Sequence, residues 1–325
     1  MSTLITGAAG FIGSHLAQAL LDRGESVTGI DNFNDYYDPA IKRANARRLA
    51  GSDRFVLVEG DIRDVETVNH VFAAYPIDRV AHLAAMAGVR ESVKQPHLYL
   101  EVNLNGTLNL LEAAQRHGVS AFVLASTSSV YGTTPQLPFV ETDAADRPLA
   151  PYPASKRAAE LLGHAYHHLH GMNVTALRFF NVYGPAGRPD MMPLRVMNAV
   201  LDGTTIPIFN GGDIHRDWTY IEDIVSGVIA ALERPLGYEV INLGMGAPIS
   251  LRAFIEVIEA LSGRTLNTRD VPTPPSDPPI TYCDNSKARR LLDFDPQTPV
   301  HEGLAHTWEW FRQWRIDSGT WPEAD

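Results

Sequence analysis

Apolar positions in the first half of the chain follow two alternating rhythms. Short, nearly continuous runs have the length and β-branched content of strands buried on both faces: STLIT (2–6), SVTGID (26–31), FVLVEGD (55–61), RVAHLAA (79–85) and AFVLAS (121–126). Between them lie stretches with the three-to-four spacing of amphipathic helices. One is FIGSHLAQALLDRG (11–24), closing on Gly24; another is 97–117, with Leu98, Val102, Leu104, Leu108, Leu111 and Ala114 on its apolar side. Strands alternating with helices predict an α/β fold, a doubly wound parallel sheet covered on both faces.

After Asn181 the rhythm breaks. VPTPPSDPPI (271–280) carries five prolines in ten residues and is expected as extended loop. GYEVINLG (237–244) reads as one more sheet strand, so the organisation is expected to interleave. Residues 1–179 plus about 213–245 would form the larger domain, and about 180–212 plus 246–325 a smaller one. LAHTWEWFRQWR (304–315) predicts an aromatic helix whose three tryptophans cover a hydrophobic seam. No internal repeat is present.

Composition narrows the function classes. With 325 residues, 45% hydrophobic and 20% charged, the chain is long and apolar enough for a substantial core. The net charge of −11 and the lack of a long basic run argue against nucleic acid as a partner. An anionic substrate would have to be held by a few local arginines. Cys283 is the only cysteine, which excludes an internal disulfide and a cysteine-based zinc site. A strand-like run beginning at Ser2 leaves no room for a signal peptide, and no apolar run approaches membrane-spanning length. A cytoplasmic location is expected. HAYHHLH (164–170) places His164 and His168 on one helix face with no Glu between them; a solvated face is expected there, and no metal site.

Three stretches carry chemistry. TGAAGFIG (6–13), between the first strand and the first helix, spaces Gly7, Gly10 and Gly13 by three. Such glycines let the backbone approach a pyrophosphate at a helix N-terminus. Asp31 ends the second strand 18 residues after Gly13, where a carboxylate can accept from an adenosine ribose and repel a 2′-phosphate. NAD is therefore expected over NADP. Asp61, at the third strand's end, is placed to meet adenine or to cap a helix. YPASK sets Tyr152 and Lys156 four apart on one helix face. A tyrosine titrates near ~10 in water, and a neighbouring ammonium and a nicotinamide ring are expected to lower that value enough for base catalysis. ASTSSVYG (125–132) ends a strand in four hydroxyls, Ser126, Thr127, Ser128 and Ser129, with no carboxylate among them.

Over essentially its whole length the sequence resembles the extended short-chain dehydrogenase/reductases. Within them it is similar to the nucleotide-sugar epimerases, most of all the UDP-glucuronate 4-epimerases. The finer match is carried by GIDNFNDYYD (29–38), AGVRESV (87–93), RFFNVYGPAGRPDM (178–191), RDWTYIEDI (216–224) and DPPITYCD (277–284). The resemblance implies a Rossmann-type sheet with a smaller C-terminal substrate domain, NAD as cofactor and a UDP-sugar as substrate. It implies Tyr152 as base, Thr127 beside it on the sugar 4-hydroxyl, and Lys156 on the nicotinamide ribose. It places Gly7, Gly10, Phe11, Ile12 and Gly13 around the cofactor pyrophosphate, and Asp31, Asn32, Asp61 and Ile62 around the adenosine. Leu83, Ala84, Ala85, Asn103, Ser126 and Phe180 complete the implied cofactor contacts. Asn181, Arg188 and Arg216 would meet the nucleotide diphosphate, Arg90 the junction of cofactor and substrate, and Asp277 the substrate.

In sister enzymes that eliminate water, the positions of Thr127, Ser128 and Ser129 read Thr, Asp, Glu; decarboxylating relatives keep a Glu at the last. Neutral serines offer no acid/base pair for elimination, and can donate hydrogen bonds to a C6 carboxylate instead. The reading that results is an epimerase acting on UDP-glucuronate to give UDP-galacturonate through a 4-keto sugar. Met86 stands where the pattern has Gln, and Asn181 where the glucuronate branch often has Thr, so a UDP-glucose or UDP-N-acetylglucosamine 4-epimerase stays open as the alternative. TPPSD (273–277) lacks the Arg that UDP-glucose enzymes carry before the matching Asp277. A non-catalytic NAD(H)-binding regulator is the alternative from another class, set against by intact Thr127, Tyr152 and Lys156. Stretches 97–117 and 153–170 resemble the helix pair of this family's four-helix dimer interface, which implies a homodimer.

Overall fold

In the computed structural model, which describes residues 1–274 and 278–322, the apolar runs become the strands of one sheet. They are β1 (Ser2–Thr6), β2 (Ser26–Asp31), β3 (Phe55–Glu59), β4 (Arg79–His82), β5 (Ala121–Thr127) and β6 (Val174–Phe179). With Tyr238–Leu243 they form a seven-stranded sheet in the order Tyr238–Leu243, β6, β5, β4, β1, β2, β3. Every neighbouring pair is parallel. Neighbouring side chains on a strand enter different layers. On β1, Leu4 joins Val71, Leu110 and Leu111 on one side, whereas Ile5 joins Leu16, Leu20 and Val228 on the other. That is why these strands read as continuous apolar runs.

Helices Phe11–Asp22 and Ile221–Glu233 pack together on one face, and Val65–Ala74, Gly106–Arg116 and Pro151–His170 on the other. The strand order reverses between β1 and β4, and the residues after those two strands open onto a shared cleft, the switch-point position for ligands in such sheets. Past β6 the elements are short. Asn181–Tyr183 pairs with Trp218–Tyr220, Thr205–Phe209 with Asn267–Val271, and His215–Arg216 lies between Ile249–Ser250 and Ile280–Thr281.

Three expectations change. The stretch 97–117 is not one helix: Pro96–Leu100 and Gly106–Arg116 are joined by a π turn at Glu101–Asn105. The wider turn accompanies the inward position of Asn103, which is fully buried. Strand Asn267–Val271 claims the first residue of the proline-rich loop and Ile280–Thr281 the last, with pairing partners deciding the boundary. In the C-terminal helix Val300–Asp317, Trp308 and Trp310 pack against the core. Trp314 is 36% exposed and stacks on Trp310, so it does not cover the seam as expected.

Candidate active site

One cleft of about 760 Å³ collects nearly every candidate residue. Its walls include Gly7, Gly10, Phe11, Ile12 and Gly13 from the glycine loop, then Asp31, Asn32, Asp61 and Ile62 at the ends of β2 and β3. Leu83, Ala84 and Ala85 follow β4; Ser126, Thr127, Ser128 and Ser129 end β5; Tyr152 and Lys156 project from helix Pro151–His170. Phe180, Asn181, Arg188, Arg90 and Arg216 close the opposite side. Two candidates stand apart. Asn103 does not line the cleft, and Asp277 lies outside the described residues.

At Gly7 and Gly13 the loop has room only for glycine. A Cβ on Gly13 would lie 2.1 Å from the Gly7 carbonyl oxygen, and one on Gly7, whose φ is +71°, would lie 2.9 Å from Ala84 N. Gly10 caps helix Phe11–Asp22 without a side-chain bond, so its first-turn N–H groups stay available at the cleft. Asp31 stiffens the loop it faces: Oδ2 accepts from Ala9 N at 3.0 Å and Oδ1 from Phe33 N at 2.9 Å. Asp61 is not a helix cap. It accepts from Asn32 Nδ2 (3.0 Å) and from the Arg63 backbone N and Nε (2.8 and 3.0 Å), while Asp64 caps the following helix. Burial raises the Asp61 pKa, but the bonds from Arg63 and Asn32 outweigh it and hold it at about 2.

Tyr152 and Lys156 meet at the floor. Burial pushes the Tyr152 phenol above its ordinary value, and a hydrogen bond with Thr127 and the Arg188 charge pull it part of the way back. The expected lowering is thus not a property of the chain alone; desolvation wins until positive charge arrives beside the ring. Lys156 is 2% exposed, and burial presses its pKa down to about 8 against the attraction of Glu160. Its Nζ has no hydrogen-bond partner among the described residues. An ammonium on a cleft wall without a partner, a glycine cradle and uncapped helix N–H groups together suit a dinucleotide: ribose hydroxyls at Lys156, pyrophosphate at Gly10–Gly13, adenosine at Asp31.

Two candidates have other duties. The Ser126 hydroxyl turns away and donates to Glu160 Oε1 at 2.5 Å, so that it serves the sheet although its residue borders the cleft. Asn103 spends its side chain on Met86 N (2.8 Å), Met86 O (2.9 Å) and Ser155 Oγ (3.0 Å), which leaves it bracing the cleft wall from behind. Thr127 also caps the turn that follows it, accepting from Ser129 N at 3.1 Å. Ser128 and Ser129 are half-buried on the cleft wall. Arg188 binds Asp190 through Nε (3.0 Å) and NH2 (2.6 Å) and lies over the Tyr36 ring, and Arg90 lies 4.8 Å over Phe209.

Residues missed in the sequence include Lys42, 5% exposed, whose ammonium donates to Asn34 O (2.8 Å) and Oδ1 (2.6 Å) beside Asp31. No motif or apolar spacing around Lys42 signals its burial. Glu160 was missed too. It accepts from Arg178 at 2.9 and 2.8 Å, from Arg157 at 2.9 Å and from Ser126, all beneath Lys156. Its spacing of four from Lys156 was the available signal.

Comparison with known proteins places this architecture. The family model described as GDP-mannose 4,6-dehydratase matches residues 4–307. A UDP-glucuronate 4-epimerase of Thermodesulfobacterium geofontis is 45% identical over 312 residues, covering 95% of this chain and 96% of the relative. The crystal structure of UDP-glucuronic acid 4-epimerase from Bacillus cereus, in complex with UDP-glucuronic acid and NAD, superposes with a TM-score of 0.90 at 37% identity, over 97% of this chain and 100% of that one. A UDP-glucose 4-epimerase of Thermotoga maritima with UDP-glucose reaches 0.88 at 30% identity, over 96% and 99%. The chain belongs to the extended short-chain dehydrogenase/reductases that act on nucleotide sugars, alongside the UDP-glucuronate 4-epimerases.

Proposed function

We propose that this chain is an NAD-dependent isomerase that interconverts UDP-glucuronate and UDP-galacturonate through a transient 4-keto sugar. The observation that carries the reading is one cleft holding Tyr152, Thr127, Ser128 and Ser129, a run of hydroxyls with no carboxylate among them, together with Arg188. It is supported by relatives named UDP-glucuronate 4-epimerase, one of them holding UDP-glucuronic acid and NAD. Bound NAD supplies the hydride acceptor and donor at sugar C4. Tyr152, held by Thr127, takes the 4-hydroxyl proton and later returns it. Lys156 holds the ribose and favours the tyrosinate by its charge. Arg188, Arg216 and Asn181 hold the diphosphate while the keto sugar turns over, and Arg90 borders the junction. Thr127 is committed to Tyr152, so the hydroxyls of Ser128 and Ser129 beside it receive the C6 carboxylate and keep its bond to C5 near the plane of the C4 ketone, where decarboxylation is disfavoured.

The same reading assigns an NAD-binding domain to 1–179 plus about 213–245 and a sugar-nucleotide domain to the remainder, Asp277 included. It also assigns a cytoplasmic location; among the described residues no helix is long and apolar enough to cross a membrane. A homodimer is supported by Leu100 (42% exposed) and Leu161 (54% exposed), which leave apolar surface on neighbouring helices.

Product analysis after separate incubation with UDP-glucuronate and UDP-glucose tests the proposal. UDP-galacturonate with little UDP-pentose is expected from the first, and slow turnover of the second. Ser128→Ala with Ser129→Ala should raise the Michaelis constant for the uronate by roughly tenfold or more, since each bond to a charged group contributes about 1.5–3 kcal/mol, and should increase the decarboxylated fraction. Preferred turnover of UDP-glucose would replace this reading with a UDP-glucose 4-epimerase, for which Asn181 speaks. Tight NAD without turnover of any UDP-sugar would leave a non-catalytic NAD(H) binder.

A further inference from the structure

Below the cleft floor runs a line of buried polar groups that the proposed chemistry does not use. His82 ends β4 and is fully buried, as are Thr6, Asn103, Thr107 and Ser155. His82 Nδ1 lies 2.7 Å from Thr6 Oγ1, and Nε2 lies 2.9 Å from Thr107 Oγ1. Counting protons sets the direction. The Thr107 hydroxyl donates its one proton to the Asn103 carbonyl at 2.6 Å, so it can only accept from His82, which must carry its proton on Nε2. Nδ1 then accepts from the Thr6 hydroxyl, whose oxygen accepts from Ala84 N at 3.2 Å. The Thr107 bond ends on the Asn103 backbone, and the polar line resumes from the Asn103 side chain: its Nδ2 donates to Ser155 Oγ at 3.0 Å, and the Ser155 hydroxyl donates to the Tyr152 carbonyl at 2.7 Å.

Both ends of this line are at the site. Thr6 directly precedes Gly7, whose backbone abuts Ala84 closely enough that a Cβ there would meet Ala84 N at 2.9 Å. Ser155 directly precedes Lys156 and lies one turn after Tyr152. Resting on the functional reading above, we propose that His82 is a positioning residue: its imidazole joins the glycine loop, through Thr6, to the Asn103 backbone, through Thr107, and the Asn103 side chain carries the contact on to the helix bearing the base, so that loop and phenol keep a single spacing. A neutral imidazole suits this place because it offers a donor and an acceptor at opposite sides of a rigid ring. Burial, and then the charge of Lys156, hold its pKa well below the usual value, which keeps one tautomer in place.

Isosteric hydroxyl removal tests the chain in the NAD-loaded protein. Thr6→Val and Thr107→Val should each lower kcat per bound NAD by about 10- to 100-fold, the scale of small misplacements at a reacting centre. KM for UDP-glucuronate and bound NAD should stay within about twofold of wild type on that account. The double variant should be no slower than the worse single one, because a broken chain cannot be broken again. Thr107→Ser, which keeps the hydroxyl, should retain wild-type turnover. Unchanged kcat in the Val variants, losses that multiply in the double variant, an impaired Thr107→Ser, or NAD loss with normal turnover per bound NAD would each overturn the proposal. Should Thr107→Val fail to fold, Thr6→Val with Thr107→Ser carries the same reading. A readout independent of activity is the ¹⁵N spectrum of His82 in the loaded protein: a neutral imidazole protonated on Nε2 supports the chain, and protonation on Nδ1 refutes it. A wild type inactive on every UDP-sugar would remove the functional reading, and the spectrum would still decide the network.

Discussion

Tyr152 and Lys156 show how a pair legible as two letters becomes an acid–base device only through its surroundings. Tyr152→Phe keeps the ring and removes the proton acceptor, so turnover should fall by roughly 10²–10⁴ while substrate binding changes little. A near-normal rate in that variant would move the base elsewhere. Lys156 makes a second, opposite demand. Its buried ammonium has no hydrogen-bond partner among the described residues, and its pKa is about 8 instead of 10.5. A native pKa below the unfolded one means that the charge destabilises the fold at neutral pH. Stability should therefore rise between about pH 8 and 10.5, where the unfolded chain holds more protons than the folded one. Lys156→Met should stabilise the apoprotein at pH 7 by roughly 3 kcal/mol at 1.36 kcal/mol per pH unit, and that advantage should fade above pH 8. Denaturant titration of both proteins at pH 7 and 10 checks it. An equal or lower stability for the Met variant at pH 7 would mean that the ammonium is satisfied by water. The same substitution should abolish turnover.

At the scale of elements, helix Pro151–His170 is held to the sheet by charge as well as by packing. Glu160, on its buried face, forms a two-bond pair with Arg178 of β6, takes the Ser126 hydroxyl from β5, and sits where its charge supports that of Lys156. Arg178 is 1% exposed and lies over the Tyr131 ring, so it has no route to water. Glu160→Ala should cost about 3–5 kcal/mol, the range for leaving one member of a buried pair uncompensated. It should also lower the Lys156 pKa further. Unfolding of the NAD-loaded protein in denaturant measures the first effect; a loss below about 1 kcal/mol would show that the helix is held by apolar packing alone.

At the scale of the whole molecule, the apolar surface left by Leu100 and Leu161 is too exposed for an isolated chain to gain from it. A second copy of the chain, related by a two-fold axis, would bury the same patch twice. On the homodimer proposed above, Leu161→Asp should give a monomer where wild type gives a dimer in light scattering after gel filtration, with the cleft and its NAD unaffected because Leu161 is not among the residues lining it. A dimer surviving both Leu161→Asp and Leu100→Asp would place the interface elsewhere.

The alternation of apolar runs determined the parallel sheet, because strands buried on both faces have no polar positions to spare. Glycine spacing and the Tyr–Lys pair determined where a dinucleotide and a base would lie, because backbone clearance and helical periodicity are local properties. Tertiary structure alone decided what contact decides. The π turn at Glu101–Asn105 breaks a pattern that looks continuous, and it accompanies an Asn103 that serves Met86 and Ser155 instead of the cleft. Ser126 turned to Glu160, and Lys42, which no motif singles out, came to rest beside Asp31. In the chain by itself burial holds the Tyr152 pKa above its ordinary value, since desolvation depends on what surrounds the phenol and no motif records it. His82 read as one more residue of an apolar strand; only the approach of Thr6 and Thr107, from two other elements, made it the joint between loop and helix.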